Sequence, residues 1–228
     1  EQYDVERHKE QLEARLGASY RTMRTVQNRV RGRGTRIVFP EGDHEKIVLA
    51  AAELVDADIC HPILLGEAER IEALKKELHL DFECTIVDPS KEPDKLNAYA
   101  QALCTERARK GVSLVDAKRS MRSRIYYGAA MVKAGEADGY VGGIEQHYAD
   151  ILRPCLEVCG VAPKAHCVIG CYMLLTKGRV MFISDATVNI YPDARTLAEI
   201  AIQTSRVARH FLVKPRVAML SYSNFGST

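Results

Sequence analysis

Short apolar runs alternate with segments of helical periodicity in the first half of the chain. Residues 37–39, 63–65 and 85–87 are strand-like runs, and after each one apolar residues recur three or four positions apart. That second spacing is typical of the buried face of a helix. Strands and helices that alternate at this distance predict a largely parallel sheet with helices on both faces. The predicted fold class is therefore α/β.

The pattern is less regular in the middle of the chain. Ser113 can cap a helix that runs to Gly135, with Asp116 at the third position to complement the exposed amides. A short buried strand at residues 140–141 follows and ends in a pair of glycines. This segment predicts one long helix and one further strand for the same sheet.

A change of pattern marks the last third of the chain. Residues 167–175 and 180–183 flank a turn and predict a β-hairpin, an antiparallel feature after the parallel series. An amphipathic helix is predicted over residues 197–208 and a strand at residues 217–220.

Three regions of different character divide the chain. Residues 1–34 are a charged helix and an arginine-rich stretch, with six arginines from Arg21 to Arg36, and are interpreted as a connector. A solvated linker is favoured over a nucleic-acid-binding arm, because aromatic residues are not interleaved with the arginines. Residues 35–162 form a first lobe, and residues 163–228 are the start of a second.

Composition narrows the class of protein without identifying a partner. A formal net charge of +2 is too small for its sign to indicate one. We find no apolar run of 18 residues and no signal-peptide pattern, which predicts a cytoplasmic protein without membrane contact. Seven cysteines, an odd number, do not form a disulfide framework, and their spacing does not predict a metal site. The expectation is reduced thiols, no nucleic-acid partner and no bound metal.

Ligands of open α/β sheets bind where strand ends give way to loops, so small or charged residues at those places are candidates. Glu41 follows the first strand, and Asp185 and Asn189 follow the hairpin. Gly142 and Gly143 lack the side chains that would keep a ligand from the backbone. A loop of hydroxyls and glycine after residue 220 offers donors to an anion, most often phosphate. The candidate residues in that loop are Ser221, Ser223, Asn224, Gly226 and Ser227.

Charged residues in and near these loops allow more than one interpretation. The carboxylates Glu41, Asp43 and Asp185 can act as acids or bases, although helix capping is favoured. Arg107 and Arg153 can each grip a phosphate in a bidentate fork, with a surface ion pair as the alternative. Dinucleotide-binding, Walker and nucleophile-elbow motifs are absent from the sequence.

Several segments together resemble the phosphate acetyl/butyryltransferase family along nearly the whole chain from residue 34. Residues 35–42 (TRIVFPEG) resemble the opening of the family, and residues 127–139 its central helix and the following strand. Residues 151–154 (ILRP) are similar to an arginine-containing family segment. Residues 219–223 are similar to a strand followed by a serine loop.

Other features resemble the version of this domain that is fused to bacterial NADP-dependent malic enzymes. They are residues 182–189, residues 223–227 and the charged leader at residues 1–24, which is similar to the end of a malic enzyme catalytic part. The resemblance implies an acetyl-CoA-binding regulatory domain, joined in cis to an enzyme that oxidatively decarboxylates malate to pyruvate. NADP and a divalent metal (Mg or Mn) would then belong to the upstream part. An active phosphate acetyltransferase is the alternative.

The resemblance also implies a fold and a site. The fold is a two-lobed α/β architecture like that of isocitrate and isopropylmalate dehydrogenases, with acetyl-CoA or phosphate between the lobes and a homodimer or larger homo-oligomer formed through the second. Arg107 and Arg153 match family arginines at the cleft. The catalytic residues of the family are expected beyond Thr228, so we predict no catalytic residue within the chain itself.

Overall fold

The computed structural model describes residues 18–163, 165–176 and 179–220. The chain divides into two compact units. The larger is Val30–Gly160, and the smaller contains the described residues on either side of it. The predicted helix at residues 1–16 and the predicted phosphate loop at residues 221–228 lie outside the described residues, as does the hairpin turn Lys177-Gly178.

A four-stranded parallel sheet forms the centre of the larger unit. Its strands are β1 (Arg36–Phe39), β2 (His61–Leu65), β3 (Thr85–Val87) and β4 (Gly139–Tyr140). They pair in the order β3-β2-β1-β4, with Val38 of β1 opposite both Ile63 of β2 and Tyr140 of β4. All three pairings are parallel, which confirms the predicted α/β class.

Helices connect the strands. Helix α1 (Ala18–Val30) precedes β1 and spans the boundary between the units. The helices of the larger unit are α2 (Glu45–Asp56), α3 (Ala68–Glu77), α4 (Pro93–Arg107), α5 (Leu114–Met121), α6 (Arg124–Lys133) and α7 (Tyr148–Val158). Two short 3₁₀ turns, Pro89–Lys91 and Ala108–Lys110, precede and follow α4.

Alternate residues of the strands face opposite layers of helices. Phe39 and Leu64 pack with buried residues of α2 and α3, including Ile47 and Ile71. Val38, Ile63 and Leu65 point the other way and pack with residues of α4 to α7. Because side chains alternate along a strand, the continuous apolar runs in the sequence supply both cores.

Two local predictions for these elements need correction. The helix predicted from Ser113 to Gly135 is two helices, because the chain turns at Arg122 and a new helix begins after Ser123. The Ser113 cap itself is confirmed, since its hydroxyl accepts the Asp116 amide at 3.1 Å. Asp43 does not cap α2, because the His44 ring takes that role by accepting the Lys46 amide at 3.1 Å.

The smaller unit contains the predicted hairpin and the predicted amphipathic helix. Strands β5 (Cys171–Thr176) and β6 (Arg179–Ser184) pair antiparallel, and α8 (Ala194–His210) begins where the Asp193 carboxylate accepts the Thr196 amide at 2.7 Å. The prediction of a strand at residues 217–220 is wrong. Leu220 is 88% exposed, and no described strand pairs with this stretch. A strand requires a partner for its backbone groups, whatever its propensity.

Among the described residues, no helix combines the length and the apolar character that crossing a membrane requires.

Candidate functional site

The sheet of the larger unit reverses its strand order between β1 and β4. The chain moves outward from β1 through β2 to β3, and then returns to place β4 on the other side of β1. The crevice at the carboxyl ends of two such strands is where open α/β sheets bind ligands. A cleft of about 270 Å³ lies there. It is lined by Pro40, Glu41, Asp43, His44, Arg70, Ser123, Arg124, Ile125, Glu145 and Gln146.

Glu41 holds the loop that follows β4. Its carboxylate accepts the backbone amides of Gly143 at 2.7 Å, of Ile144 at 3.1 Å and of Glu145 at 3.1 Å. Helix capping, the favoured interpretation, is therefore wrong for Glu41. Three converging amides form an anion-binding concavity, and here a side chain of the same unit fills it.

The glycine pair in that loop is required by internal packing. A Cβ on Gly142 would lie 2.8 Å from Cγ of Pro40, and Gly143 has a φ of +106° that favours glycine. The sequence suggested that these residues leave room for a ligand, and that role stays a prediction. The amide of Gly143 already donates to Glu41, so a ligand would meet this loop only at its remaining polar groups.

Two arginines share one carboxylate in the cleft. Asp43 accepts from Nη1 of Arg124 at 2.7 Å and lies 3.3 Å from Nη1 of Arg70. The Asp43 side chain is only 12% exposed, so the guanidinium groups replace the water that it loses. Neither arginine was among the candidate residues predicted from the sequence. A signal existed for Arg124, because a cation at the first position of a helix is unfavourable next to the helix dipole and needs an acidic partner.

Arg107 and Arg153 lie on neighbouring helices. Arg107 ends α4, and its Nη1 donates to the Glu157 carbonyl oxygen at 3.4 Å, while Nη2 is 4.0 Å from Oε1 of Glu157. Arg153 lies one helical turn before Glu157 on α7 and is exposed. Of the two arginines that the sequence singled out, one therefore contacts Glu157 and the other lies one helical turn from it.

The Tyr126 hydroxyl joins this cluster and donates to Oε2 of Glu157 at 2.6 Å. Burial and the adjacent Glu157 raise the pKa of Tyr126 to about 12, although the positive charges of Arg153 and Arg107 act in the opposite direction. Each arginine thus lies close enough to the phenol to influence it. Nε of Arg107 is buried without a hydrogen-bond partner among the described residues.

Asp185 and Asn189 organise a turn within the smaller unit. The Asp185 carboxylate accepts the backbone amides of Gly170, Thr187, Val188 and Asn189 at 3.0–3.1 Å, as well as the Asn189 side-chain amide. Partial burial acts to raise the pKa of Asp185, but these hydrogen bonds outweigh it and lower that pKa. Asp185 therefore caps no helix, contrary to the favoured interpretation, and it acts as the anchor of its loop.

The remaining candidate residues are not described by the structure. Ser221, Ser223, Asn224, Gly226 and Ser227 lie outside the described residues, so their phosphate-binding role stays a prediction. Within residues 18–163, 165–176 and 179–220, no group of three or more His, Cys, Asp or Glu side chains is arranged to hold a metal ion.

Comparison with known proteins identifies relatives of this chain. The phosphate acetyl/butaryl transferase family matches residues 21–228. A phosphate acetyltransferase of Nitratidesulfovibrio vulgaris is 40% identical over 193 residues, which are 84% of this chain and 27% of the relative. That of Corynebacterium glutamicum is 34% identical over 200 residues, 87% of this chain and 60% of the relative.

Solved structures agree with this result. A phosphotransacetylase from Streptococcus pyogenes superimposes with a TM-score of 0.79 and 32% identity, over 92% of this chain and 64% of that protein. The EutD phosphotransacetylase from Staphylococcus aureus gives a TM-score of 0.78 and 28% identity, over 92% of this chain and 63% of that protein. The chain thus spans less than two thirds of the length of each of these relatives.

One functional prediction is overturned by these matches. The chain was expected to be the regulatory domain of an NADP-dependent malic enzyme, but the matched relatives are named phosphate acetyltransferases at 34–40% identity. The expected NADP, divalent metal and malic enzyme partner in cis rested on the same hypothesis and lose their support. The match over residues 21–228 and the shared α/β fold lead to one conclusion. This chain belongs to the phosphate acetyl/butaryl transferase family.

Proposed function

We propose that the protein carrying this chain is a phosphate acetyltransferase, which interconverts acetyl-CoA and acetyl phosphate. The relatives that bear this name support the proposal, since they match more than four fifths of the chain. Acetyl-CoA and phosphate are then substrates, and the alternative considered at the level of sequence becomes the main hypothesis.

The structural observation that carries the proposal is the arginine pair beside Tyr126. Phosphate, acetyl phosphate and the phosphate groups of CoA are all anions, and planar guanidinium groups bind such oxygens in bidentate fashion. Arg153 is exposed and free to meet a ligand, whereas the Arg107 side chain is only 20% exposed and contacts Glu157. We assign ligand contact to Arg153 and a more fixed, orienting contact to Arg107.

The chemistry of the transfer sets further requirements. The thiol sulfur of CoA bonds to the acetyl carbon of acetyl phosphate, the bond from that carbon to the phosphate oxygen breaks, and the thiol proton passes to a base. A base near the thiol and donors to the developing oxyanion are needed. We predict those groups beyond Thr228, so the arginine pair is assigned to binding the phosphate. A homodimer or larger homo-oligomer also stays a prediction.

Removing either guanidinium should raise the KM for phosphate. We expect Arg153→Ala and Arg107→Ala each to delete a charge-assisted contact worth about 1.5–3 kcal/mol, which corresponds to roughly a 10- to 150-fold rise. The measurement is the initial rate of thioester formation from acetyl phosphate and CoA, together with the reverse reaction at varied phosphate, in the protein carrying this chain.

Arg109→Ala is the matched control. Arg109 is exposed two residues after Arg107, and its loss changes the net charge equally, so KM should stay within twofold of the unmodified protein. Absence of turnover in the unmodified protein would refute the proposed activity. Turnover with an unchanged KM in both arginine variants would remove Arg107 and Arg153 from the site.

A further inference from the structure

Glu157 lies among the groups proposed to bind phosphate. It contacts Arg107 from α4 through both its carbonyl and its carboxylate, and it receives the Tyr126 hydroxyl from α6 at 2.6 Å. On its own helix it follows Arg153 by one turn. Its side chain is 29% exposed, so its charge is only partly screened by water. Neither the sequence motifs nor the proposed reaction gives this carboxylate a role.

The contact between Glu157 and Arg107 is loose. The carboxylate oxygen is 4.0 Å from Nη2, longer than a charge-assisted hydrogen bond, while the carbonyl of Glu157 accepts from Nη1 at 3.4 Å. The backbone therefore orients the guanidinium even without the carboxylate. What the carboxylate contributes is mainly one negative charge, at a place where an incoming anion would meet two positive ones.

The net charge of the cluster gives the direction in which Glu157 changes phosphate affinity. Arg107 and Arg153 carry two positive charges and Glu157 one negative, and the Tyr126 phenol is neutral at physiological pH because its pKa lies at about 12. The cluster is then +1 with the carboxylate and +2 without it. A phosphate group bound by the two arginines would be repelled by the negative charge of Glu157 beside them.

We propose that Glu157 limits the affinity of the Arg107 and Arg153 pair for phosphate groups, and so favours release of the phosphorylated ligand. It acts through the charge of the pair and is a positioning and tuning residue rather than a catalytic one. This inference rests on the proposed function, because that proposal assigns phosphate to the two arginines. A residue with only a structural role would lower affinity when it is replaced, whereas this role predicts a gain.

Glu157→Gln tests the sign of the effect. The amide keeps the shape of the side chain and can still accept from Tyr126, but the charge is gone. We expect the dissociation constant of inorganic phosphate to fall about fivefold, the order of effect that the removal of one nearby unit charge has at a partly solvated site. Binding should also become more sensitive to added salt. Isothermal titration calorimetry of inorganic phosphate with the protein carrying this chain measures both.

Two substitutions serve as controls. Glu157→Asp keeps the charge and should return the dissociation constant to within twofold of the unmodified protein. Glu106→Gln removes a carboxylate from the same helix as Arg107, but from an exposed pair with Lys133 at 3.3 Å, and should leave phosphate binding unchanged. If Glu157→Gln does not fold, Glu157→Ala removes the same charge and should also tighten binding.

The possible outcomes separate this inference from the proposed function. Equal or weaker phosphate binding in the folded charge-free variants overturns the role of Glu157, whether or not the protein has transferase activity. Failure of the unmodified protein to bind phosphate overturns it as well. Tighter binding in the variants of a protein without turnover supports Glu157 and refutes the proposed activity alone.

Discussion

Replacing Leu64 by alanine should lower the free energy of unfolding by about 3–4 kcal/mol. Leu64 lies in β2 with no exposed surface and packs in the core that α2 and α3 form with this face of the sheet. Alanine removes the buried methyl groups and leaves a cavity between a sheet and helices that are held by many other contacts. Urea unfolding followed by circular dichroism gives the free energy.

Leu49→Ala provides the matched comparison. Leu49 lies on α2, a helix of the same layer, but 38% of the residue is exposed. The same substitution there should cost about 1 kcal/mol, because more than a third of the residue is already in water and less apolar surface is lost from the interior. If the two variants lost similar amounts of unfolding free energy, the layer between the sheet and helices α2 and α3 would not be a tightly packed core.

Gly42→Ala should lower the free energy of unfolding by about 3 kcal/mol. The cause here is a steric clash, whereas in Leu64→Ala it is a cavity. A Cβ at this position would lie 2.7 Å from the Leu65 nitrogen and 2.8 Å from the carbonyl carbon of Leu64. Those are backbone atoms of β2, which is paired with β1 on one side and β3 on the other and cannot retreat. Thermal and urea unfolding of the variant measure the loss.

Gly139→Ala separates a backbone clash from the mere addition of a methyl group. Its Cβ would also meet an atom at 2.8 Å, but that atom is the terminal Cδ1 of Ile37, which can move by changing rotamer. We expect a loss of about 1 kcal/mol. If Gly139→Ala destabilised the protein as much as Gly42→Ala, rigidity of the β2 backbone would not be the cause.

Periodicity was sufficient to predict the parallel part of the fold. Three strand-like runs lie within the observed β1, β2 and β3, because strands covered by helices on both faces of a sheet carry apolar residues at most positions. The break between α5 and α6 was not predictable in this way. No glycine or proline marks it, and Ser123 resembles any polar position on a helix surface. The stretch at residues 217–220 looks like a strand in composition, yet pairing decides whether a strand forms.

The candidate site was predictable only in part, because its contacts connect distant parts of the chain. Arg107 and Arg153 could be selected from their local context and their resemblance to a family. The partners of the other charged groups could not, since Glu41 and Gly143 are 102 positions apart, and Asp43 and Arg124 are 81 apart. A carboxylate that binds three amides of a remote loop has the same local sequence as one that caps the next helix.

The Glu41 contact also has a dynamic consequence for the loop after β4. Residues 141–150 are exposed, and an exposed loop normally exchanges its amide hydrogens with solvent almost as fast as an unfolded peptide. The amides of Gly143, Ile144 and Glu145 are occupied by one carboxylate, so they exchange only when that contact opens. In deuterated water these three positions should retain hydrogen while the following residues of the loop lose it. The entrance to the cleft is thus a locally ordered surface that is already set before any ligand arrives.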